Sequence, residues 1–272
     1  MTEGSEMTEV SDVSEMSMQD KVVVVTGAAG GIGAALAARM AGLGARVVVS
    51  DLDGERAHAV AAKLGATLVA GDAASEDGVS ALIETVQDEV GPIDVWFANA
   101  GVDLGSGLDS PEDAWATSWE VNVMAHVRAA RLLVPGWVER GGGRFVSTAS
   151  AAGLLTMVDA PAYSVTKHGA VAFAEWLSVT YRHKGIHVHA ICPQGVQTAM
   201  LERAGDLAAV LGRDRVLTPE EVAEATWEAI VEDRFLVLPH PEVADYYRAR
   251  AADTDAWISG MNRLQQKVES GR

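Results

Sequence analysis

Hydrophobic and polar positions alternate between two rhythms from Lys21 onward. Val22–Val25 is an unbroken β-branched run, the pattern of a parallel strand covered on both faces. Glycines follow, then an alanine-rich helix to about Leu43. Arg46–Ser50, Thr67–Ala70 and Val95–Ala98 read as the next strands, with helices across Glu55–Lys63 and about Glu76–Glu89 between them. Trp115, Trp119, Val123, Val127, Ala130, Val134 and Trp137 recur at three- and four-residue spacing. That spacing predicts one long helix with an apolar stripe, serving the core or a subunit interface, which Pro135 kinks or ends. Arg144–Thr148, Ile186–Ile191 and Phe235–Leu238 are further strands, and a long helix spans about Ala162 to His183. Thr218 precedes Pro219 and Glu220 as a plausible helix cap. A polar helix is expected after Pro241. Strands alternating with helices imply right-handed βαβ units, hence an α/β fold: a Rossmann-like, doubly wound parallel sheet of about seven strands.

Residues 1–19 break this rhythm, being acidic and polar, and predict a disordered tail. The remainder, 20–272, reads as a single domain in which 198–217 is an irregular helical excursion, a candidate substrate lid.

Charge and cysteine content narrow the function classes. The net charge of −17 and pI of about 4.7 disfavour a nucleic-acid partner, whose phosphates would be repelled. Cys192 is the only cysteine, so no intrachain disulfide or cysteine metal cluster can form, and a reducing cytoplasm is the expected compartment. No basic residue and no apolar stretch precede Lys21, so no secretory signal is expected. The longest uncharged run, Val22 to Ala38, falls short of the roughly 20 residues that span a bilayer. His187 and His189 alternate on one strand but lack further ligands at metal spacing, so no metal is expected.

Chemistry first enters at Thr26-Gly27-Ala28-Ala29-Gly30-Gly31-Ile32-Gly33, between a strand and a helix. Gly27 permits the turn, Gly31 lets the backbone approach a pyrophosphate, and Gly33 lets the helix pack on the sheet, with Ile32 between them. The helix N-terminus offers free N–H groups and a partial positive charge to phosphates. Asp51 ends the second strand and is placed to accept hydrogen bonds from a ribose. A carboxylate there repels the extra phosphate of NADP; Leu52 follows it, and the loop holds no Arg or Lys, so NAD is the expected cofactor. Asp51 could instead cap the next helix, a role Asp53 could also fill. Gly71-Asp72-Ala73 and Asn99-Ala100-Gly101 end the third and fourth strands at the same sheet edge, where adenine and ribose contacts are expected.

Tyr163 and Lys167 lie four residues apart on a helix and share a face. A neighbouring ammonium lowers a phenol's pKa from about 10 towards the range of a useful base. Ser150 follows the fifth strand, where its hydroxyl can hold a substrate oxygen, and Asn122 could hold a water linking Lys167 to solvent.

With these residues in place the sequence resembles the short-chain dehydrogenase/reductase family over about residues 20–240. The resemblance rests on the loop at 26–33, Asn99-Ala100-Gly101, Asn122, Ser150, Tyr163 and Lys167, with the family's Ser-to-Tyr spacing. It implies proton transfer by Tyr163, hydride transfer at the nicotinamide, a Lys167 contact to the nicotinamide ribose, and a homotetramer or dimer. It also implies nicotinamide contacts from Pro193, Val196 and Thr198. One departure is Pro193-Gln194-Gly195-Val196-Gln197-Thr198, where Gln194 stands at a usual glycine. Leu155, Met157 and Met200 would line an apolar pocket, with Val102, Leu104 and Leu201, while Asp103 and Gln194 would add polar selectivity. The expected partner is therefore a small-molecule, mostly apolar secondary alcohol or ketone. The alternatives are an NADPH-dependent ketoreductase of lipid or polyketide type, or a non-catalytic NAD(H)-binding protein.

Overall fold

The computed structural model describes residues 16–203 and 214–270. Seven parallel strands form one sheet in the order β3-β2-β1-β4-β5-β6-β7. They are β1 Val22–Thr26, β2 Arg46–Ser50, β3 Thr67–Leu68, β4 Val95–Ala98, β5 Gly143–Thr148, β6 Ile186–Ile191 and β7 Leu236–Val237. The outermost strands, β3 and β7, are shorter than expected: each hydrogen-bonds one neighbour only, so pairing at their ends lapses first. The strand order reverses between β1 and β4, which opens a crevice at the carboxyl edge. Helices cover both faces. Val22 and Val24 enter one core cluster and Val23 and Val25 the other, so the opening β-branched run feeds both.

Helices α1 Gly31–Gly42, α2 Gly54–Leu64 and α3 Glu76–Glu89 follow the first three strands. The tryptophan-rich helix is composite: α4 Glu112–Trp119, a π turn at Glu120–Met124, then α5 Ala125–Glu139. Pro135 does not end α5, because it lies exposed, where water can satisfy the carbonyl it leaves unpaired. The stripe divides: Trp137 is fully buried and its Nε1–H donates to Ile93 O at 2.7 Å, whereas Trp119 is 43% exposed. Short α6 Ala152–Leu155 precedes α7 Pro161–Tyr181. Beyond β6 lie α8 Ala199–Glu202, α9 Pro219–Val231, α10 Glu242–Ala252 and α11 Thr254–Glu269. Thr218 and Glu221 form a full capping box on α9.

Residues 1–15 of the expected tail lie outside the described residues. Its last four do not behave as a tail: Met18 is 3% exposed and joins the core under β1, because a methionine preceding a buried strand fills the gap beneath it. The excursion at 198–217 is pinned at its base by a bridge between Val196 and Leu217, with Gln197 N donating to Leu217 O at 2.9 Å; residues 204–213 lie outside the described set. None of the helices among the described residues is long and apolar enough to cross a membrane.

At the opposite sheet edge, buried polar groups form a cluster. His189 is fully buried; its Nδ1–H donates to Arg234 O at 2.6 Å, so its Nε2 is free to accept from Arg144. Asp233 pairs with Arg182 at 2.6 Å and His187 at 2.7 Å. Burial and the Arg144 charge hold the His189 pKa down at about 4, and burial holds that of His126 at about 3. Both rings are therefore neutral in the folded protein and take up protons more readily once unfolded. Their stabilisation is complete above the unfolded histidine pKa near 6.5 and is lost as pH falls below it. By pH 5 each should have cost roughly 2 kcal/mol. Urea midpoints measured from pH 7.5 to 5 should fall accordingly, and a constant midpoint would refute the assignment.

Candidate active site

The crevice is built from the glycine turn upward. Helix α1 begins at Gly31 without a side-chain cap, so its first N–H groups face the cavity. Gly31 has φ +54°, a left-handed conformation costly for other residues, and a side chain there would meet Thr198. A Cβ on Gly33 would fall 2.2 Å from Gly27 O and 2.5 Å from Asn99 Nδ2. Asn99 is the clamp: its Nδ2 donates to Thr26 O at 2.9 Å and Gly27 O at 3.1 Å, and its Oδ1 accepts from Thr148 at 3.0 Å. Thr26 Oγ1 in turn accepts from the backbone N–H groups of Asn99 and Ala100.

Asp51 Oδ2 accepts from Ala29 N at 2.9 Å and Oδ1 from Asp53 N at 3.0 Å, which stations the carboxylate beside the glycine turn. Asp53, not Asp51, caps α2 by accepting from Arg56 N at 3.1 Å. Asp72 accepts from Ala74 N and Ser75 N, and a hydrogen bond from the Ser75 side chain leads the forces holding its carboxyl below the usual range. Leu52, Ala73, Ala100 and Gly101 line the same cavity. The loop itself holds no Arg or Lys, but a basic residue does reach this end: Arg56 lines it, its guanidinium 2.8 Å from where a Gly30 Cβ would sit. Its position on the first turn of α2 folds it back over the glycine loop, a long-range placement the local motif does not encode.

Ser150 stands just beyond β5, its Oγ accepting from Ala152 N at 3.1 Å. Tyr163 and Lys167 project from the first turns of α7 into the cavity, with Lys167 Nζ 5.6 Å from the Tyr163 ring centroid. Lys167 donates to Thr148 O at 2.9 Å, and burial lowers its pKa to about 8. The expected acidification of the phenol is absent in this arrangement. Burial pushes Tyr163 up to about 12, the Ser150 hydroxyl pulls it down, and the Asp103 carboxylate adds to the rise. Asn122 sits in the π turn, fully buried, with its amide already engaged. Its Oδ1 accepts from Val102 N at 2.9 Å, and its Nδ2 donates to Val102 O at 2.9 Å and Thr166 at 3.0 Å. It fixes the Gly101–Asp103 loop rather than lining the cavity. A Gly101 Cβ would lie 3.2 Å from both Asn122 Oδ1 and Lys167 Nζ, which shows how close the two groups stand.

Asp103, Leu155, Met157, Gln194 and Met200 all line the cavity, as do Pro193, Val196 and Thr198. Met157 and Met200 pack with Ala152 and Ala160 against Tyr163. Gln194 Oε1 is buried with no hydrogen-bond partner among the described residues. Partial burial raises the Asp103 pKa, and Lys167 opposes it. Cys192 is fully buried, its thiol pushed up to about 12 by burial, which removes it from the chemistry. One wall was missed altogether: Trp257, Met261 and Leu264 of α11 face the same cavity. Their apolar spacing within a mostly polar segment was the available signal.

The chain's similarities agree with this geometry. The short chain dehydrogenase model matches residues 21–207. The 1-deoxy-11-beta-hydroxypentalenate dehydrogenase of Streptomyces exfoliatus is 37% identical over 89% of this chain and 90% of that protein. The D-threitol dehydrogenase of Mycolicibacterium smegmatis is 31% identical over 80% of this chain and 90% of that protein. A short chain dehydrogenase/reductase from Burkholderia phymatum, solved in complex with NAD, superposes with a TM-score of 0.81 at 30% identity, covering 89% of this chain and 96% of that one. With a switch-point crevice, a glycine turn under α1 and a Ser–Tyr–Lys group along one cavity, the chain belongs to the short-chain dehydrogenase/reductase family of oxidoreductases.

Proposed function

We propose that this protein is an NAD(H)-dependent dehydrogenase or ketone reductase acting on a mostly apolar secondary alcohol or its ketone. One observation carries the reading: a single cavity of about 830 Å³ runs from Asp51 and the glycine turn to Ser150 and Tyr163. The residues suit a dinucleotide. The first N–H groups of α1 lack a side-chain cap, Gly33 leaves the turn no room for a Cβ, and Asp51 is released from capping by Asp53. Gly27, Gly31, Ile32 and Gly33 would hold the pyrophosphate, Asp51 and Leu52 the adenosine ribose, and Asp72 and Ala73 the adenine side. Asn99, Ala100 and Gly101 would border the second ribose, and Pro193, Val196 and Thr198 the nicotinamide. When bound, that ring supplies the two-electron acceptor or donor.

The chain's own groups handle the proton. Tyr163 gives its phenolic proton to the carbonyl oxygen in reduction and recovers it from the alcohol in oxidation. Ser150 holds that oxygen in place. Lys167 places positive charge beside the phenol and reaches towards the ribose. Asn122 pins the loop bearing Asp103. Several large apolar side chains on one face of α7 stay exposed, with Val165 at 49%, Trp176 at 54% and Val179 at 78%. This face suits a homodimer or tetramer in the cytoplasm, and sedimentation at the monomer mass would remove that part of the reading.

A second reading, NADPH-dependent ketoreduction, is favoured by one feature, the Arg56 guanidinium over Gly30 at the glycine-turn end of the cavity. Titrating NADH and NADPH by fluorescence separates the two. The Asp51 carboxylate should make NADH bind about tenfold or more tighter, and Asp51→Ala should erase most of that gap. Tighter NADPH binding by the unaltered protein would decide for the second reading.

A further inference from the structure

The C-terminal helices form a rigid hairpin over the substrate end of the cavity. Helix α10 is anchored: Val243 is fully buried, Tyr246 donates to Asp214 at 3.2 Å, and Arg250 bonds Leu154 O and lies 3.1 Å from His168 Nε2. Asp253 alone joins the helices and caps α11 by accepting from Ala256 N at 2.9 Å. The Tyr246 and Trp257 rings lie 6.4 Å apart, which fixes the angle of the hairpin. Helix α11 buries no residue in the core, yet Trp257, Met261 and Leu264 recur on one face and line the cavity that holds Tyr163. Trp257 also packs against the edge of the core, whereas Met261 and Leu264 join no core cluster among the described residues, so their apolar partner is what fills the cavity.

Charge narrows the occupant further. Among the described lining residues only Arg56 and Lys167 are basic, and Arg56 lies at the glycine-turn end. The substrate end carries Asp103 and Asp214 instead. Among the described residues, a carboxylate desolvated there would meet two acidic side chains and no cation beyond the lysine beside Tyr163.

We propose that Trp257, Met261 and Leu264 form the specificity wall of the active site, and that its substrate is a bulky, uncharged, mostly apolar alcohol or ketone. This rests on the dehydrogenase reading above and adds to it the size and charge of the substrate. The test is NADH-dependent reduction of cyclohexanone, 1-decalone, a decalone carboxylic acid and its methyl ester by the full chain. The unaltered protein should favour decalone over cyclohexanone, and the ester over the acid, each by about tenfold or more in kcat/KM. Met261→Ala and Leu264→Ala together should lower kcat/KM for decalone about tenfold, chiefly through KM, and that for cyclohexanone several-fold less. Because α11 buries nothing in the core, the melting temperature should hold. An unchanged decalone-to-cyclohexanone ratio in the variant overturns the wall, and equal rates on acid and ester overturn the charge assignment. NADH binding with no turnover of any of the four ketones would instead overturn the dehydrogenase reading, and the inference with it.

Discussion

Tyr163→Phe should lower ketone reduction about 10³-fold while leaving NADH affinity within a few-fold of the unaltered protein. The hydroxyl is the group placed to exchange a proton beside Ser150, and its loss leaves the ring packed against Ala152 and Ala160 as before. The sign of the pH dependence follows from the burial that holds the phenol at about 12. Reduction uses the protonated phenol, which persists across the neutral range, so its rate should stay nearly level there. Oxidation uses the phenolate, whose fraction grows about tenfold per pH unit below the pKa, so kcat/KM for an alcohol should climb steadily towards alkaline pH. Steady-state rates in both directions from pH 6 to 7.5, below the value of about 8 to which burial lowers Lys167, check this. A phenylalanine variant with more than a tenth of the original activity would remove Tyr163 from the reaction.

Gly33→Val should weaken NADH binding by about 100-fold, roughly 3 kcal/mol. Its first side-chain carbon would lie 2.2 Å from Gly27 O, and backbone cannot yield as a flexible side chain can. The turn must open, taking the α1 N-terminus away from the pyrophosphate it would hold. Gly42→Ala is the matched control on the same helix, since a Cβ there meets nothing within 4 Å. The control should bind NADH normally and melt no lower. Equal affinities in the two variants, read by fluorescence titration, would mean that the turn does not hold the cofactor.

Local chemistry made much of the candidate site legible in advance. The glycine turn, Asp51 and the four-residue spacing of Tyr163 and Lys167 each depend on residues close in sequence, and β-branched runs announce buried strands without reference to their partners. What escaped depends on contacts between distant segments. Arg56 reaches back to a loop one βα unit earlier, and Met18 becomes core only because β1 lies above it. The π turn inserts at Asn122 inside a stripe that looks regularly helical, where the amide exchanges hydrogen bonds with Val102, twenty residues upstream. The direction of the Tyr163 shift could not be read either: the lysine spacing is visible in the sequence, but the burial that outweighs it belongs to the assembled cavity. Helix α11 reads as polar because Trp257, Met261 and Leu264 face a cavity formed largely by distant segments.

In the reaction proposed here, a nicotinamide exchanges hydride with a carbonyl carbon at the Tyr163 and Ser150 end of the cavity. Incubating the protein with 1-decalone and NADH dideuterated at C4 tests this directly. The account predicts one deuterium at the carbinol carbon per product molecule, and loss of that product with Tyr163→Phe. Tight NADH binding with no deuterium reaching carbon, or deuterated product undiminished in the phenylalanine variant, would contradict it.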